Sequence, residues 1–303
     1  MSAGKGSPVR AILYAFVANL CIAIAKLATA LYTGSGSMMA EAIHSFADTG
    51  NQILLYIGLK SAEKEPDEDH PLGYGKLSYF WSFIVAMLLF SVGGLFSVYE
   101  GVHKFQNPEP LSQIWIALVV LGLAIILEAS SLYGCLREIR EIRGERPFKE
   151  WLRHTRNSAL VVVLGEDLAA LLGLALAGGF LAVAAVTGNP IYDAIGSMCI
   201  GVVLLVISIF LSLRVRSLLV GRAADPIVQE AIDKIIDTDP DIVQVFNTIT
   251  IQLGPDTMLA TKIQLRSGIS IEAAVETINK LEKRLKEQVP GLKWSFVEPD
   301  FED

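Results

Sequence analysis

Six apolar stretches, each long enough to cross a bilayer, alternate with short polar connections in the part of the chain before Arg222. They lie at about 9–33, 37–61, 77–101, 111–136, 157–186 and 191–217. Beyond Arg222 the periodicity changes. Asp225-Pro226 opens a helix, since Asp is a good N-cap and Pro is tolerated in a first turn. Ile227, Ala231, Ile232, Ile235 and Ile236 carry that helix forward at helical spacing. Val245, Asn247, Ile249, Ile251 and Leu253 then alternate as in a half-buried strand. Gly254-Pro255-Asp256 reads as a turn, and Leu259, Thr261, Ile263 and Leu265 alternate again. Helical spacing returns at Ile271, Ala274, Val275, Ile278, Leu281 and Leu285, and a short strand near residues 294–297 ends the pattern. The order α-β-β-α-β predicts a small two-layer domain of ferredoxin-like type. The expected fold is therefore an α-helical integral membrane protein: six transmembrane helices in residues 1–221 and an α+β ferredoxin-like domain in residues 222–303.

Composition agrees with this division. Of 303 residues, 52% are hydrophobic, and the mean hydropathy of +0.48 exceeds that of an ordinary soluble domain. A net charge of −7 argues against a nucleic-acid surface. Cys21, Cys135 and Cys199 lie far apart in apolar segments with no CxxC spacing, so they read as small buried hydrophobes. Basic residues set the orientation. Lys5 and Arg10 precede the first stretch, and Lys60, Lys64 and Lys76 join the second to the third. Arg137, Arg140, Arg143, Arg146, Lys149, Arg153 and Arg156 lie between the fourth and fifth, and Arg214, Arg216 and Arg222 close the sixth. The other side has little beyond Lys104. By the positive-inside rule, the termini and the soluble tail are expected in the cytoplasm or its topological equivalent.

Against that apolar background, a few polar residues point to chemistry. His44 and Asp48 lie four residues apart in the second stretch, one helical turn apart on one face, with Glu41 and Asn51 near the same stripe. Glu166 and Asp167 interrupt an otherwise apolar run in the fifth. Ionisable groups at such depth face a cavity and a partner. At 1.5 Å per residue, Asp48 lies roughly 18 Å from one face and Asp167 roughly 16 Å from the other. Both therefore fall near the middle of a hydrocarbon slab about 30 Å thick. Imidazole and carboxylates at one level make a ligand set for a divalent transition metal. Lys26 and Glu128 are further intramembrane charges, readable as supporting groups, as a proton relay, or as snorkelling and satisfied contacts. The pairs Gly93-Gly94 and Gly178-Gly179 read as sites of close helix packing.

Taken together, these features resemble the cation diffusion facilitators. The resemblance rests on His44-Ser45-x-x-Asp48, the aspartate of the fifth stretch, six spans and an α-β-β-α-β tail. The run Asp67-Glu68-Asp69-His70-Pro71-Leu72-Gly73-Tyr74-Gly75-Lys76 is similar to that family's loop between spans two and three, and Ile191-Tyr192-Asp193-Ala194-Ile195-Gly196 to the start of its sixth span. The string His44 to Gln52 looks most like the branch holding the animal mitochondrial zinc transporter and its bacterial relatives. The resemblance implies a homodimeric antiporter that exports Zn²⁺ against protons by alternating access, with no permanently bound cofactor and the ion as substrate. The chemistry agrees, because such ligands bind metal when deprotonated and protons therefore compete for the site. A bacterial inner membrane is the expected location, and an organelle membrane the alternative.

Departures from the pattern shape the expectation. Many zinc-selective members have a histidine four residues before the span-five aspartate, where this chain has Val163. Glu166, Asn51 or a water then completes the set begun by His44, Asp48 and Asp167. An oxygen-richer site leaves Mn²⁺, Fe²⁺, Co²⁺ or Ni²⁺ open as cargo. In the loop, Tyr74 replaces a further histidine beside Asp67 and His70, which favours a solvated acidic loop. The tail has no histidine or cysteine, so dimerisation rather than metal sensing is its expected role. The competing class is a membrane-anchored metal sensor or scaffold that binds ions without moving them.

Overall fold

The structure is a computed structural model that describes residues 8–33, 36–108 and 114–302. The long helices are α1 (Pro8–Thr33), α2 (Gly36–Ala62), α3 (Leu77–Leu88), α4 (Phe96–Gln106), α5 (Ile114–Arg143), α7 (Ser158–Thr187) and α8 (Ile191–Val220), with a short α6 (Phe148–His154) before α7. A π-helical turn, Leu89–Leu95, joins α3 to α4 into one continuous rod, Leu77–Gln106. That rod, α5, α7 and α8 are long and apolar enough to cross a membrane. In α1 the qualifying stretch is shorter, Ile12–Ala28. In α2 the polar residues from Glu41 to Gln52 dilute the apolar run. Helix α5 runs further than the apolar pattern predicts because its polar end is itself helical, with Arg137 and Glu141 paired one turn apart at 3.6 Å.

The chain divides into two compact units. One combines residues up to Lys60 with Ser78–Phe148 and Ser158–Arg216; the other combines Ser61–Leu77, Lys149–Asn157 and the chain from Ser217 onward. In the helical unit α1 packs on α5 and α5 on α7. The α3–α4 rod meets α8 backbone to backbone. A Cβ at Gly101 would lie 2.7 Å from the Met198 amide nitrogen, and one at Gly201 would lie 2.7 Å from that of Val98. Small residues at these contacts remove the side chains that would hold the helices apart. Gly178 and Gly179, expected at such a contact, have no neighbour within 4 Å among the described residues. Cys135 is buried as expected, whereas Cys21 is exposed.

A side-chain hydrogen bond accompanies the π turn. The Ser91 hydroxyl donates to the Met87 carbonyl at 2.9 Å, the acceptor that the Ser91 amide would use in an α-helix. The two glycines that follow give the backbone freedom to widen the turn.

In the second unit, α9 (Pro226–Asp237) begins as its sequence predicts, with the Asp225 side chain accepting from the Ile227 amide. Strands β1 (Ile242–Leu253), β2 (Asp256–Leu265) and β3 (Leu292–Pro299) form one sheet in that order. The β1–β2 hairpin is antiparallel, and α10 (Ile271–Gln288) carries the chain over to β3, parallel to β2. Ile232 and Ile236 of α9, Leu281 and Leu285 of α10, and Leu259 and Ile263 of β2 form the core.

Strand β1 departs from its sequence pattern. Its register shifts between Val245 and Asn247, so the side-chain alternation changes phase there. Val245 opposite Ile263 faces the core, but past the shift Thr250 and Gln252 are buried, opposite Leu259 and Thr257, along with Leu253 at the end of the strand. Ile249, expected inside, is 51% exposed. The polar residues now inside are satisfied: Thr248 bonds Thr261, and Gln252 donates to the carbonyls of Gly254 and Asp256.

Candidate functional site

The helical unit has a cavity of about 390 Å³ walled by α2 and the rod that contains the π turn. Its polar groups are Asp48 and Asn51, one turn apart on α2. The remainder is apolar: Ile53 and Leu54 from α2, Leu88 from α3, and Leu89, Val92 and Gly93 from the π turn. The backbone of Glu41 and His44 belongs to α2, but their side chains lie outside the described residues. Among the described residues, no three His, Cys, Asp or Glu side chains converge at metal-binding spacing. His44, which the sequence places with Asp48 and Asp167, is not among the side chains so compared.

Helix α7 brings its adjacent carboxylates into two different settings. Asp167 is 2% exposed, and both its oxygens face the Ser131 hydroxyl of α5, at 3.1 and 3.2 Å. Glu166 points about 100° away around the helix. It meets α2, where its oxygens accept from Asn51 Nδ2 at 3.1 Å and Gln52 Nε2 at 2.9 Å. Glu166 also lies within electrostatic reach of Asp48 and Asp167. Glu128 of α5 joins the same group, close enough to feel the charges of Asp167, Asp48 and Lys26. Lys26 and Glu128 are each 6% exposed, so neither snorkels to a surface. Lys26 of α1 donates to Ser45 of α2 at 2.9 Å. Among the described residues, Asp48, Glu128, Glu166, Asp167 and Lys26 thus lie in an apolar bundle, a setting in which carboxyl groups take up a proton or a cation.

Of the residues the sequence nominated, Asn51 bonds Glu166 and lines the cavity with Asp48, while Asp167 meets Ser131. The structure adds Gln52 and Ser131, which the sequence reading passed over. Gln52 had a signal, because it continues the four-residue step from His44 through Asp48. Ser131 had none, since serines in apolar helices usually bond their own backbone.

In the second unit the 61–77 connection is closed by its own side chains. Asp67 accepts from the Tyr74 hydroxyl at 2.7 Å, from Lys64 at 3.1 Å and from the His70 amide at 2.9 Å. The Tyr74 and Lys64 donors hold the Asp67 carboxyl well below the usual carboxylate range, and Lys64 is raised in turn. Tyr74 thus bonds the acidic residue at the position where the resemblance implied another histidine. The arginine-rich connection also has a structural part: Arg156 donates to the carbonyls of Ala223 at 2.7 Å and Ala224 at 2.9 Å.

Comparison with known proteins places the chain in a family. The cation efflux transmembrane domain matches residues 12–220. The mitochondrial proton-coupled zinc antiporter SLC30A9 of Xenopus laevis is 30% identical over 279 residues, 91% of this chain and 49% of that protein. Metal tolerance protein C4 of Arabidopsis thaliana is 32% identical over 248 residues, 81% of this chain and 54% of that protein. Magnetosome protein MamB of Paramagnetospirillum magneticum is 24% identical over 287 residues, 92% and 89% of the two chains. The chain thus spans about half the length of the zinc antiporters it matches. With the domain match over residues 12–220, the chain belongs to the cation efflux, or cation diffusion facilitator, family of transmembrane metal transporters.

Proposed function

We propose that this protein exports a divalent transition-metal ion, Zn²⁺ first, in exchange for protons. In this reading all six long helices span the membrane within residues 1–221. The αββαβ tail, residues 222–303, has the ferredoxin-like arrangement without an initial strand and dimerises the protein on the cytoplasmic side, which also holds both termini. His44, Asp48 and Asp167 bind the ion, with Asn51 contributing from the cavity wall. The site opens alternately to each side.

One observation carries the reading. Asp48 lines an apolar cavity, Asp167 is buried against Ser131, and Glu128 lies within electrostatic reach of both, in helices that match a cation efflux domain. Bound protons and a bound cation neutralise the same groups, so each excludes the other and the exchange follows. Zinc is supported by the names of the antiporter relatives. The buried Val163 one turn before Asp167 supplies no nitrogen ligand, so an oxygen-rich set also suits Mn²⁺, Fe²⁺, Co²⁺ or Ni²⁺.

Flux in proteoliposomes carrying a pH dye tests it, with those five ions offered in turn. Metal uptake with opposite proton movement, lost in Asp48→Ala and in Asp167→Ala, is the expected result. Uptake that survives both substitutions would show that the ion takes another path. Tight binding without flux would make the protein a sensor or scaffold.

A further inference from the structure

Glu166 and the two amides it holds define a role that the cation-site reading above leaves open. We propose that Glu166 is a positioning residue, not a ligand: it turns the carboxamides of Asn51 and Gln52 so that their carbonyl oxygens are offered to the transported cation beside Asp48. The inference rests on the assignment of Asp48 and Asp167 to the cation site.

The argument starts from donor chemistry. An ionised carboxylate only accepts hydrogen bonds, whereas a carboxamide has one NH₂ end and one carbonyl end. Glu166 takes Asn51 Nδ2 on one oxygen and Gln52 Nε2 on the other. Turning both amides round would set oxygen against oxygen at one contact at least, because a carboxyl group holds no more than one proton. With their nitrogen ends on Glu166, both amides turn their carbonyl ends away from it. For Asn51, the carbonyl is the group left to serve the cavity that it lines with Asp48. Neither Glu166 nor Gln52 lines that cavity, but Gln52 follows Asp48 by one turn of α2.

Gln52 provides a second, independent observation. It is 1% exposed, and its Oε1 is buried with no hydrogen-bond partner. Buried carbonyls rarely stay unsatisfied, and an oxygen held open in this way suits a cation that arrives and leaves. The result is a neutral oxygen pair next to the carboxylates. Such donors suit a hard ion such as Mn²⁺ more than Zn²⁺, so Glu166 broadens the range of ions the site accepts.

Zn²⁺ and Mn²⁺ binding to the full chain in lipid nanodiscs, by titration calorimetry, tests this. The proteins are wild type, E166Q, N51A, the double variant, E166Q with N51D, and D167A. The amide introduced by E166Q has an NH₂ end of its own, so either Asn51 or Gln52 must turn round to meet it. We expect E166Q and N51A each to weaken Mn²⁺ roughly tenfold more than Zn²⁺, the lower end for losing a group that supports a ligand. The double variant should be no worse than N51A alone, and N51D should restore Mn²⁺ binding to E166Q, because a carboxylate presents oxygen in either orientation. Unchanged helical content by circular dichroism in the same nanodiscs shows that each variant is folded. Loss of both ions in folded E166Q, matching D167A, would make Glu166 a ligand and overturn the proposal. Additive losses in the double variant, or an N51A protein with unchanged affinities, would overturn it too. If D167A binds both ions like wild type, the cation-site reading fails first and the proposal falls with it.

Discussion

At the scale of single residues, the membrane site is built from charges that neighbouring helices hold in place. Ser131 spans both oxygens of Asp167, so Ser131→Ala frees the carboxylate to rotate. Groups that orient a ligand typically contribute 10- to 100-fold in affinity. A loss of roughly that size in Zn²⁺ binding is expected, with the helical content unchanged by circular dichroism. Asp67 gives a pH prediction. Its pKa in the folded protein lies below the ordinary aspartate value of about 3.9, so its contribution is complete above that value and is lost only as pH falls through the lowered one. A ¹³C titration of Asp67 should show the carboxylate still ionised at pH values where free aspartate is largely protonated. Tyr74→Phe, which removes the shortest donor, should move the midpoint upward. An unmoved midpoint would show that Tyr74 does not hold the charge. Of these residues, Asp48 and Asp167 were legible in the sequence because a charge in an apolar helix contrasts with everything around it. Gln52 was legible only as the next four-residue step after Asp48, and Ser131 not at all, because spacing does not encode which atom each bonds.

Elements were legible where their cause was local. Asp225-Pro226 starts α9 because capping needs only neighbouring residues. The shift in β1 was illegible because it depends on β2. Alternation at Ile249 and Ile251 predicts a buried odd-numbered face, and the pairing reveals that the phase changes after Val245, although Leu253 at the strand's end is buried as expected. The π turn was illegible for a related reason: an apolar run has no marker for a hydrogen bond that skips one residue further. The contact between the α3–α4 rod and α8 depends on the missing side chains of Gly101 and Gly201. Gly101→Leu should cost at least the 1–3 kcal/mol typical of overpacking, read as a lower thermal midpoint in detergent, because the nearest obstacles are backbone atoms that cannot move aside.

On the scale of the whole molecule, each unit has its own basis for stability. The second unit has a packed core independent of the membrane, so Leu281→Ala there should cost about 2–5 kcal/mol. Metal binding at the α2–α7 site should be unchanged in the same protein. Coupled losses would show that the units fold as one. The basic residues of the connections also predict the topology. A single cysteine at Glu302, in a chain with Cys21, Cys135 and Cys199 replaced by Ala, should react with an impermeant maleimide only from the cytoplasmic side. Labelling from the opposite side would reverse the proposed orientation.

The π turn makes the rod from Leu77 to Gln106 a shaft with a built-in dislocation. One extra residue in that turn rotates everything beyond it by about 100° relative to an unbroken α-helix. The face that walls the Asp48 cavity and the glycine seam that seats the rod on α8 are therefore two faces brought into alignment by the defect. Deleting one residue from Leu89–Leu95 would heal the helix and improve its own geometry. It would also turn one of those faces away from its neighbour. Regularity within this helix and fit to its surroundings are competing demands, and the chain has settled the conflict in favour of fit.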